Sequence, residues 1–238
     1  PYLDGLKIYP IKDDSTRFAA FRTGQVKMTT LGSKALNHVE ADRVKKEMAD
    51  KAVAVMHPAA TRYLIYTHFK RKPWDDLRVR QALDLAFDRR AAIAINYNVG
   101  IIGASLHPKG IWGIPEEEMV KRPGYRQPKD ADIAKAKSLL AEAGYPNGFK
   151  TRLLVRGGGS TEAQGVVAKD QLAKVGIDVT LDAKESTAVY DLLDRHDFEL
   201  CSFNPSEVAD DPDPVFSAYY ISTGSRNYGE YNDLQIDE

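Results

Sequence analysis

The sequence has a single cysteine, no long apolar run and no excess of charge of either sign. The lone Cys201 excludes a disulfide within the chain and a zinc site built from several cysteines. The apolar stretches, of which residues 63–69 are typical, are far shorter than the roughly 20 residues of a membrane-spanning helix. We therefore expect neither a disulfide framework nor direct insertion of this chain into a membrane.

The charge balance also bears on possible partners. The chain carries 33 basic and 34 acidic residues, which gives a formal net charge of -1. Proteins that bind nucleic acid present a basic surface, so we expect no nucleic-acid partner. A length of 238 residues with 43% hydrophobic content is enough for one large core or two modest ones. The composition favours a globular protein with small or neutral partners.

Strand and helix patterns alternate in the second half of the chain. The run "TRLLV" at 151–155 is followed by a helix that carries Ala168 and Leu172, and then by the run "IDVTL" at 177–181. This strand, helix, strand order predicts two parallel strands with a right-handed crossover. A further helix and the strand "FELCSF" at 198–203 follow. The predicted class is α/β.

The first part of the chain gives weaker patterns. "LKIYPI" at 6–11 is predicted to be a strand, as are "AVAVMHP" at 52–58 and "TRYLIYTHF" at 61–69. A helix is predicted over 15–23, with Ser15 as N-cap and Gly24 as the stop. A continuous helical periodicity over 74–97 predicts one long helix behind Asp75 or Asp76 as N-cap.

The acidic segment "SFNPSEVADDPDPVFSAYY" at 202–220 raises the question of a metal or catalytic site. A calcium loop needs an obligatory glycine and a closing glutamate, and "DDPDP" has neither. The five histidines share no metal-ligand spacing, and there is no nucleophile elbow of the form G-x-S-x-G. We expect no metal, but a hydrolase that uses the carboxylates around 207–213 stays an alternative.

Two further segments suggest contact with a small ligand. "RGGGST" follows a strand and opens a helix, but it lacks the Walker lysine, and Glu162 stands where a dinucleotide fingerprint needs glycine. We therefore expect no cofactor. Its Arg156, Gly157, Gly158 and Ser160 form either a plain turn or a loop that touches a ligand's carboxylate or polar edge. Trp112, between glycines in "GIWGIP", is either a hydrophobic plug or a stacking wall for a ligand.

Several stretches together resemble one family, the extracellular solute-binding proteins of family 5, which are dipeptide and oligopeptide receptors of ABC importers. They occur in family order: "PYLDGLKIYPIKDDSTRFAAFRTGQV", "FKRKPWDDLRVRQALDLAFDRRAAI", "AKAKSLLAEAGYPNGF", "VGIDVTLDAKESTAVYDLL", "DFELCSF", "DPDPVFSAYY" and "RNYGEYND". The resemblance implies a fold like that of periplasmic binding proteins of type II, in the large three-part variant, with two lobes that close on a ligand.

The resemblance covers only part of that fold. Residues 1–65 are similar to the C-terminal part of the first lobe. Residues 66–238 are similar to most of the second lobe, which closes on the ligand, without its final return segment. We expect this second lobe to contain a mixed sheet flanked by helices.

The resemblance also implies where the ligand is held. In peptide receptors an aspartate shortly before an acid-proline pair receives the peptide's amino group. Here Asp211 and Pro212 match that pair, and the aligned position is Val208, so the flanking Glu207 is the candidate amine anchor. The predicted ligand-binding residues are Ser202, Asn204, Glu207, Asp210, Arg156, Gly157, Gly158, Ser160 and Trp112.

The implied function is that of a non-enzymatic, monomeric substrate-binding component of an ABC importer. It would capture peptides or a related small polar solute by lobe closure and deliver them to a membrane permease. Its location would be periplasmic or extracellular, with membrane association through the transporter. Two alternatives stay open: the carboxylate-dependent hydrolase, and a truncated domain with no binding activity.

Overall fold

The computed structural model describes residues 4–11, 13–29, 38–55, 63–95, 100–103, 113–158, 160–205 and 211–237. The chain divides into two compact units, Pro1–His57 and Pro58–Glu238. None of the helices in the described ranges is long and apolar enough to cross a membrane.

In its described residues the first unit contains two helices, α1 (Asp14–Arg22) and α2 (His38–Glu47). The N-cap of α1 is Asp13, whose side chain accepts a 2.7 Å hydrogen bond from the backbone N–H of Thr16. The predicted N-cap, Ser15, is therefore wrong, because a carboxylate two residues earlier already satisfies a free N–H of the first turn. Gly24, with a φ of 76°, follows the helix end as predicted.

The strand predicted at 6–11 is not present. These residues are irregular and mostly exposed, with Leu6 and Ile8 at 64% and 66% exposure. An extended run becomes a strand only when its backbone hydrogen bonds with a neighbouring chain segment, and no described strand pairs with this run. Residues 52–55 are likewise irregular, and the rest of the predicted strand at 52–58 lies outside the described residues.

The second unit is built on a mixed sheet. Among the described residues it has four strands, β1 (Leu64–Thr67), β2 (Phe149–Arg156), β3 (Ile177–Lys184) and β4 (Leu200–Phe203), in the order β1-β4-β2-β3. β2 pairs in parallel with β3, from Phe149 opposite Ile177 to Arg156 opposite Lys184, which confirms the predicted parallel pair. β4 is parallel to β2, and β1 is antiparallel to β4. All four residues of β1 pair with β4. The lobe boundary predicted at residue 65 falls within β1 and stays a prediction.

Helices flank the sheet. They are α3 (Leu77–Ala86), α4 (Arg89–Ile95), α5 (Glu116–Met119), α6 (Asp130–Glu142), α7 (Ser160–Ala173), α8 (Ser186–Asp194), α9 (Asp213–Val215) with a π-helical turn at Phe216–Tyr220, and α10 (Leu234–Asp237). The single long helix predicted over 74–97 is wrong. Phe87 has an extended backbone, and the Asp88 side chain accepts hydrogen bonds from the N–H groups of Arg90 and Ala91, so α4 begins anew. Asp76, one of the two predicted N-caps, caps α3.

Two hydrophobic clusters form the core of this unit. One contains Leu153 and Val155 of β2 with side chains of α3, α6 and α7, and the other contains Leu154 of β2 and Cys201 of β4. Because neighbouring residues of a strand point to opposite faces, the two clusters lie on the two faces of the sheet. Cys201 has 0% exposure, which confirms the prediction of a buried core residue.

Candidate ligand-binding site

The parallel strands β2 and β4 end at the same edge of the sheet. Leu154 of β2 is paired with Cys201 of β4, so the residues that follow both strands lie side by side. α7 starts at Ser160, shortly after β2 ends at Arg156. In open α/β sheets ligands bind outside the carboxyl ends of the strands. We call this region, formed by residues 156–164 without 159 and by residues 202–204, the ligand edge.

Two hydrogen bonds join α7 to the end of β4 at the ligand edge. Asn204 Nδ2 donates to Ser160 Oγ at 3.0 Å, and Ser202 Oγ donates to Gln164 Oε1 at 2.8 Å. The structure thus brings together four polar side chains, of which Ser160, Ser202 and Asn204 were predicted from the sequence. Gln164 was missed, although it lies four residues after Ser160 and therefore on the same face of the helix.

Three polar groups at the ligand edge are without partners in the described part of the chain. Asn204 Oδ1 is buried and accepts no hydrogen bond. The half-buried Arg156 side chain forms no ion pair or hydrogen bond with a described residue. Gln164 Nε2 likewise donates no hydrogen bond to a described residue. The edge therefore offers a cation on the face that carries Leu154, and an amide donor and an amide acceptor on the face against which α7 packs.

The segment that joins β2 to α7, which contains Gly157 and Gly158, is held in place by backbone hydrogen bonds. Gly157 N donates to Lys184 O at 2.9 Å, and Gly158 N donates to Glu162 Oε2 at 2.6 Å. The Thr161 hydroxyl donates to Arg156 O at 3.0 Å, which fixes the start of α7 against the end of β2. These two glycine N–H groups thus have partners within the protein, and the loop positions Arg156 and Ser160.

A small residue in α7 allows the helix to approach the sheet closely. A Cβ atom on Gly165 would lie 2.8 Å from Val155 Cγ1 and 3.2 Å from Leu181 Cδ2, closer than side-chain carbons pack. This contact sets the distance between α7 and β2, and with it the position of Ser160 and Gln164.

Cys201 lies next to the ligand edge but is not suited to nucleophilic chemistry. Burial raises the pKa of its thiol to about 12, and the nearby Arg156 charge lowers it only in part. The reactive form of cysteine is the thiolate, so a thiol with this pKa stays protonated and inert at neutral pH.

The acidic segment is only partly described. Glu207 and Asp210 lie outside the described residues, as does Trp112. Asp211 Oδ1 accepts from the N–H of Asp213 at 2.9 Å, and Asp213 Oδ1 accepts from the Ser217 hydroxyl at 3.1 Å, so both acids stabilise the start of α9. In the described part of the chain no three His, Cys, Asp or Glu side chains are placed to hold a metal ion.

Solved structures of similar fold include periplasmic binding proteins. Haemophilus influenzae OppA, in complex with RPPGFSPFR, matches with a TM-score of 0.73 and 24% identity over 95% of this chain and 44% of that one. AgaA of A. tumefaciens R10, in complex with agropinic acid, matches with a TM-score of 0.62 and 28% identity over 95% of this chain and 45% of that one. The predicted periplasmic binding protein-like α/β fold is confirmed by these structures.

Curated relatives and a family model agree with this fold. The glutathione-binding protein GsiB of Pectobacterium atrosepticum is 32% identical over 188 residues, which are 78% of this chain and 34% of that protein. The chain thus spans about a third of the length of this relative. The names of these proteins favour a binding protein over an enzyme. The model of the middle region of the bacterial extracellular solute-binding proteins of family 5 matches residues 1–227, and the chain therefore belongs to this family.

Proposed function

We propose that this chain is part of the substrate-binding component of an ABC importer that captures a peptide or a related small polar solute. The family assignment and relatives that are named for binding glutathione, or that were solved with a peptide or agropinic acid, support this role. Closure of the lobes on the solute would be driven by its higher affinity for the closed state. The protein would act outside the cytoplasm as a monomer and deliver the solute to a membrane permease.

The observation that carries the proposal is a cation at the ligand edge that pairs with none of the described residues. Arg156 is half-buried at the end of β2, and no described acid pairs with it. Guanidinium groups form strong, paired hydrogen bonds with carboxylates. Peptides, glutathione and related amino-acid derivatives all carry a carboxylate. We therefore assign Arg156 as the group that binds a carboxylate of the solute.

The proposal is tested on the full-length protein with four named compounds. Glutathione, the peptides STSA and RPPGFSPFR, and agropinic acid are titrated by calorimetry and by ligand-dependent melting. At least one should bind and raise the melting temperature, and mass spectrometry should find the bound compound chemically unchanged. Turnover of a peptide would instead support the hydrolase, and a complete lack of binding would contradict the proposal.

A charge-matched pair of variants tests the role of Arg156. Hydrogen bonds to charged groups contribute about 1.5–3 kcal/mol, so Arg156→Gln should weaken binding at least about tenfold. Lys150→Gln removes the same charge from an exposed residue near the other end of β2 and serves as the control. Equal effects of the two variants would show that only the net charge matters, and would remove Arg156 from the site.

A further inference from the structure

We propose that Asn204 is a specificity-determining residue whose Oδ1 atom accepts a hydrogen bond from an N–H group of the bound solute. This inference rests on the proposed function and adds to it the chemistry by which solutes are distinguished. Arg156 would select a carboxylate, and Asn204 would select the nitrogen-bearing group of a peptide or amino-acid derivative.

The Asn204 amide has one paired and one unpaired polar atom among the described residues. Its Nδ2 is held by Ser160 Oγ at 3.0 Å, which fixes the amide plane. Its Oδ1 is the one buried side-chain acceptor without a hydrogen-bond partner in the described part of the chain. Buried polar atoms are almost always paired, because an unpaired one loses its hydration without compensation. An unpaired acceptor at the ligand edge is therefore suited to a donor that arrives with the ligand.

The polar groups near Asn204 differ from it in the solute atoms that they select. The other open groups at the ligand edge, the Arg156 guanidinium and Gln164 Nε2, are both donors and so select oxygen atoms of a solute. Asn204 Oδ1 supplies the complementary preference for N–H. A solute with carboxylate and carbonyl oxygens but no N–H, such as a simple organic acid, would leave this acceptor buried and unpaired.

The backbone around Asn204 is held in place before a ligand binds. Pro205 follows Asn204 directly, and a proline restricts the preceding residue to extended backbone conformations. Ser202, two residues earlier, is held by Gln164 at 2.8 Å and is 1% exposed. The Asn204 amide is thus fixed from both sides before a ligand binds, and preorganised groups discriminate between ligands most sharply.

The test combines single-group changes in ligand and protein. The probes are trialanine and three analogues, two with one peptide N–H replaced by an ester oxygen and one with hydrogen in place of the terminal ammonium. The full-length wild-type protein should bind one analogue at least about tenfold more weakly than trialanine. In Asn204→Leu this discrimination should fall to less than about twofold, because the acceptor is gone.

A control variant tests whether the loss of discrimination is specific to Asn204. Asn147→Leu, at an exposed residue before β2, should keep the wild-type discrimination between trialanine and the analogue. Equal discrimination in wild type and Asn204→Leu would overturn the inference, since a merely structural Asn204 would change all affinities alike.

Failure of the proposed function is distinguishable from failure of this inference. If trialanine does not bind wild type, the assignment of a peptide as the solute fails. The melting temperature of the empty protein then tests whether Asn204 Oδ1 lacks a partner within the protein. Asn204→Leu and Ser160→Ala both remove the hydrogen bond between Asn204 Nδ2 and Ser160 Oγ, and the loss of an acceptor without a partner should add no further destabilisation. The two variants should therefore melt at similar temperatures. A clearly lower melting temperature of Asn204→Leu than of Ser160→Ala would show that Oδ1 has a partner within the whole protein and would overturn the inference.

Discussion

Ser202 Oγ donates a 2.8 Å hydrogen bond to Gln164 Oε1, and this bond joins the end of β4 to the second turn of α7. Ser202 is 1% exposed, so its hydroxyl has no access to bulk water. The pair fixes the helix that carries Ser160 against the strand that leads to Asn204.

This pair predicts a non-additive effect on stability. Gln164→Met should lower the free energy of unfolding by about 1–3 kcal/mol, because the Ser202 hydroxyl is left buried and unpaired. Adding Ser202→Ala should restore most of the loss, since two apolar partners need no hydrogen bond. Urea unfolding of the two single variants and the double variant measures the coupling. Additive losses would show that the hydrogen bond contributes little.

Asp132 is predicted to be a strong point of stabilisation in the first turn of α6. Its fully buried carboxylate accepts 3.0 Å hydrogen bonds from Gly124 N, Arg126 Nε and Lys129 Nζ. Asp132→Asn should lower the free energy of unfolding by about 3 kcal/mol, because two cations lose their partner. The exposed Asp130→Asn, in the same turn, should cost less than about 1 kcal/mol. Chemical denaturation checks both variants, and equal losses would contradict the assignment.

The same carboxylate predicts a loss of stability in acid. Burial by itself raises the pKa of Asp132, but the hydrogen bonds from Arg126, Lys129 and Gly124 N, together with the Lys129 charge, outweigh it, so the pKa lies below the ordinary 3.8. The unfolded chain then binds a proton more readily than the folded protein, and the stabilisation is lost as the pH falls below about 3.8. Asp132→Asn should therefore show a weaker loss of stability than wild type between pH 5 and pH 3.

His68 predicts a second pH effect at milder pH. The ring is 3% exposed, its Nδ1 accepts from Lys70 N at 3.2 Å, and its Nε2 lies 3.3 Å from Glu230 Oε2. Burial lowers the pKa of His68 below 6.5; Glu230 and a hydrogen bond with the backbone of His196 oppose this, and the charges of Arg71 and His196 add to it. The unfolded state thus takes up the proton first, and stability should fall as the pH drops below 6.5. In His68→Gln, unfolding free energies at pH 7 and pH 5.5 should differ less than in wild type.

Glu207 carries a prediction that comes from the sequence alone, because this residue lies outside the described part of the chain. If the solute has a primary amine and Glu207 binds its ammonium, Glu207→Gln should cost on the order of 3 kcal/mol, or roughly a hundredfold in affinity. The melting temperature of the empty protein should stay nearly unchanged. Unchanged affinity for glutathione together with a lowered melting temperature would indicate that Glu207 only stabilises the adjacent turn.

The elements that could be predicted from the sequence are those with a strong local pattern. β2, α7 and β3 follow one another with clear apolar periodicity, and their parallel pairing follows from the short crossover. The break at Phe87 and Asp88 was missed because the apolar spacing continues through it, while a single side-chain cap restarts the helix. The strand expected at 6–11 failed because β structure depends on a partner segment as well as on its own residues.

The sequence by itself determined the α/β class, the residues at the end of β2 and β4, and the family to which they are similar. Only the tertiary structure decided which of these residues meet. Arg156 and Asn204 are far apart in the chain, and they come to one edge because β4 inserts between β1 and β2. Gln164 joined the site only through the packing of α7 against the sheet, where Gly165 permits the close approach. Hydrogen bonds between elements depend on this packing, which local sequence patterns do not encode.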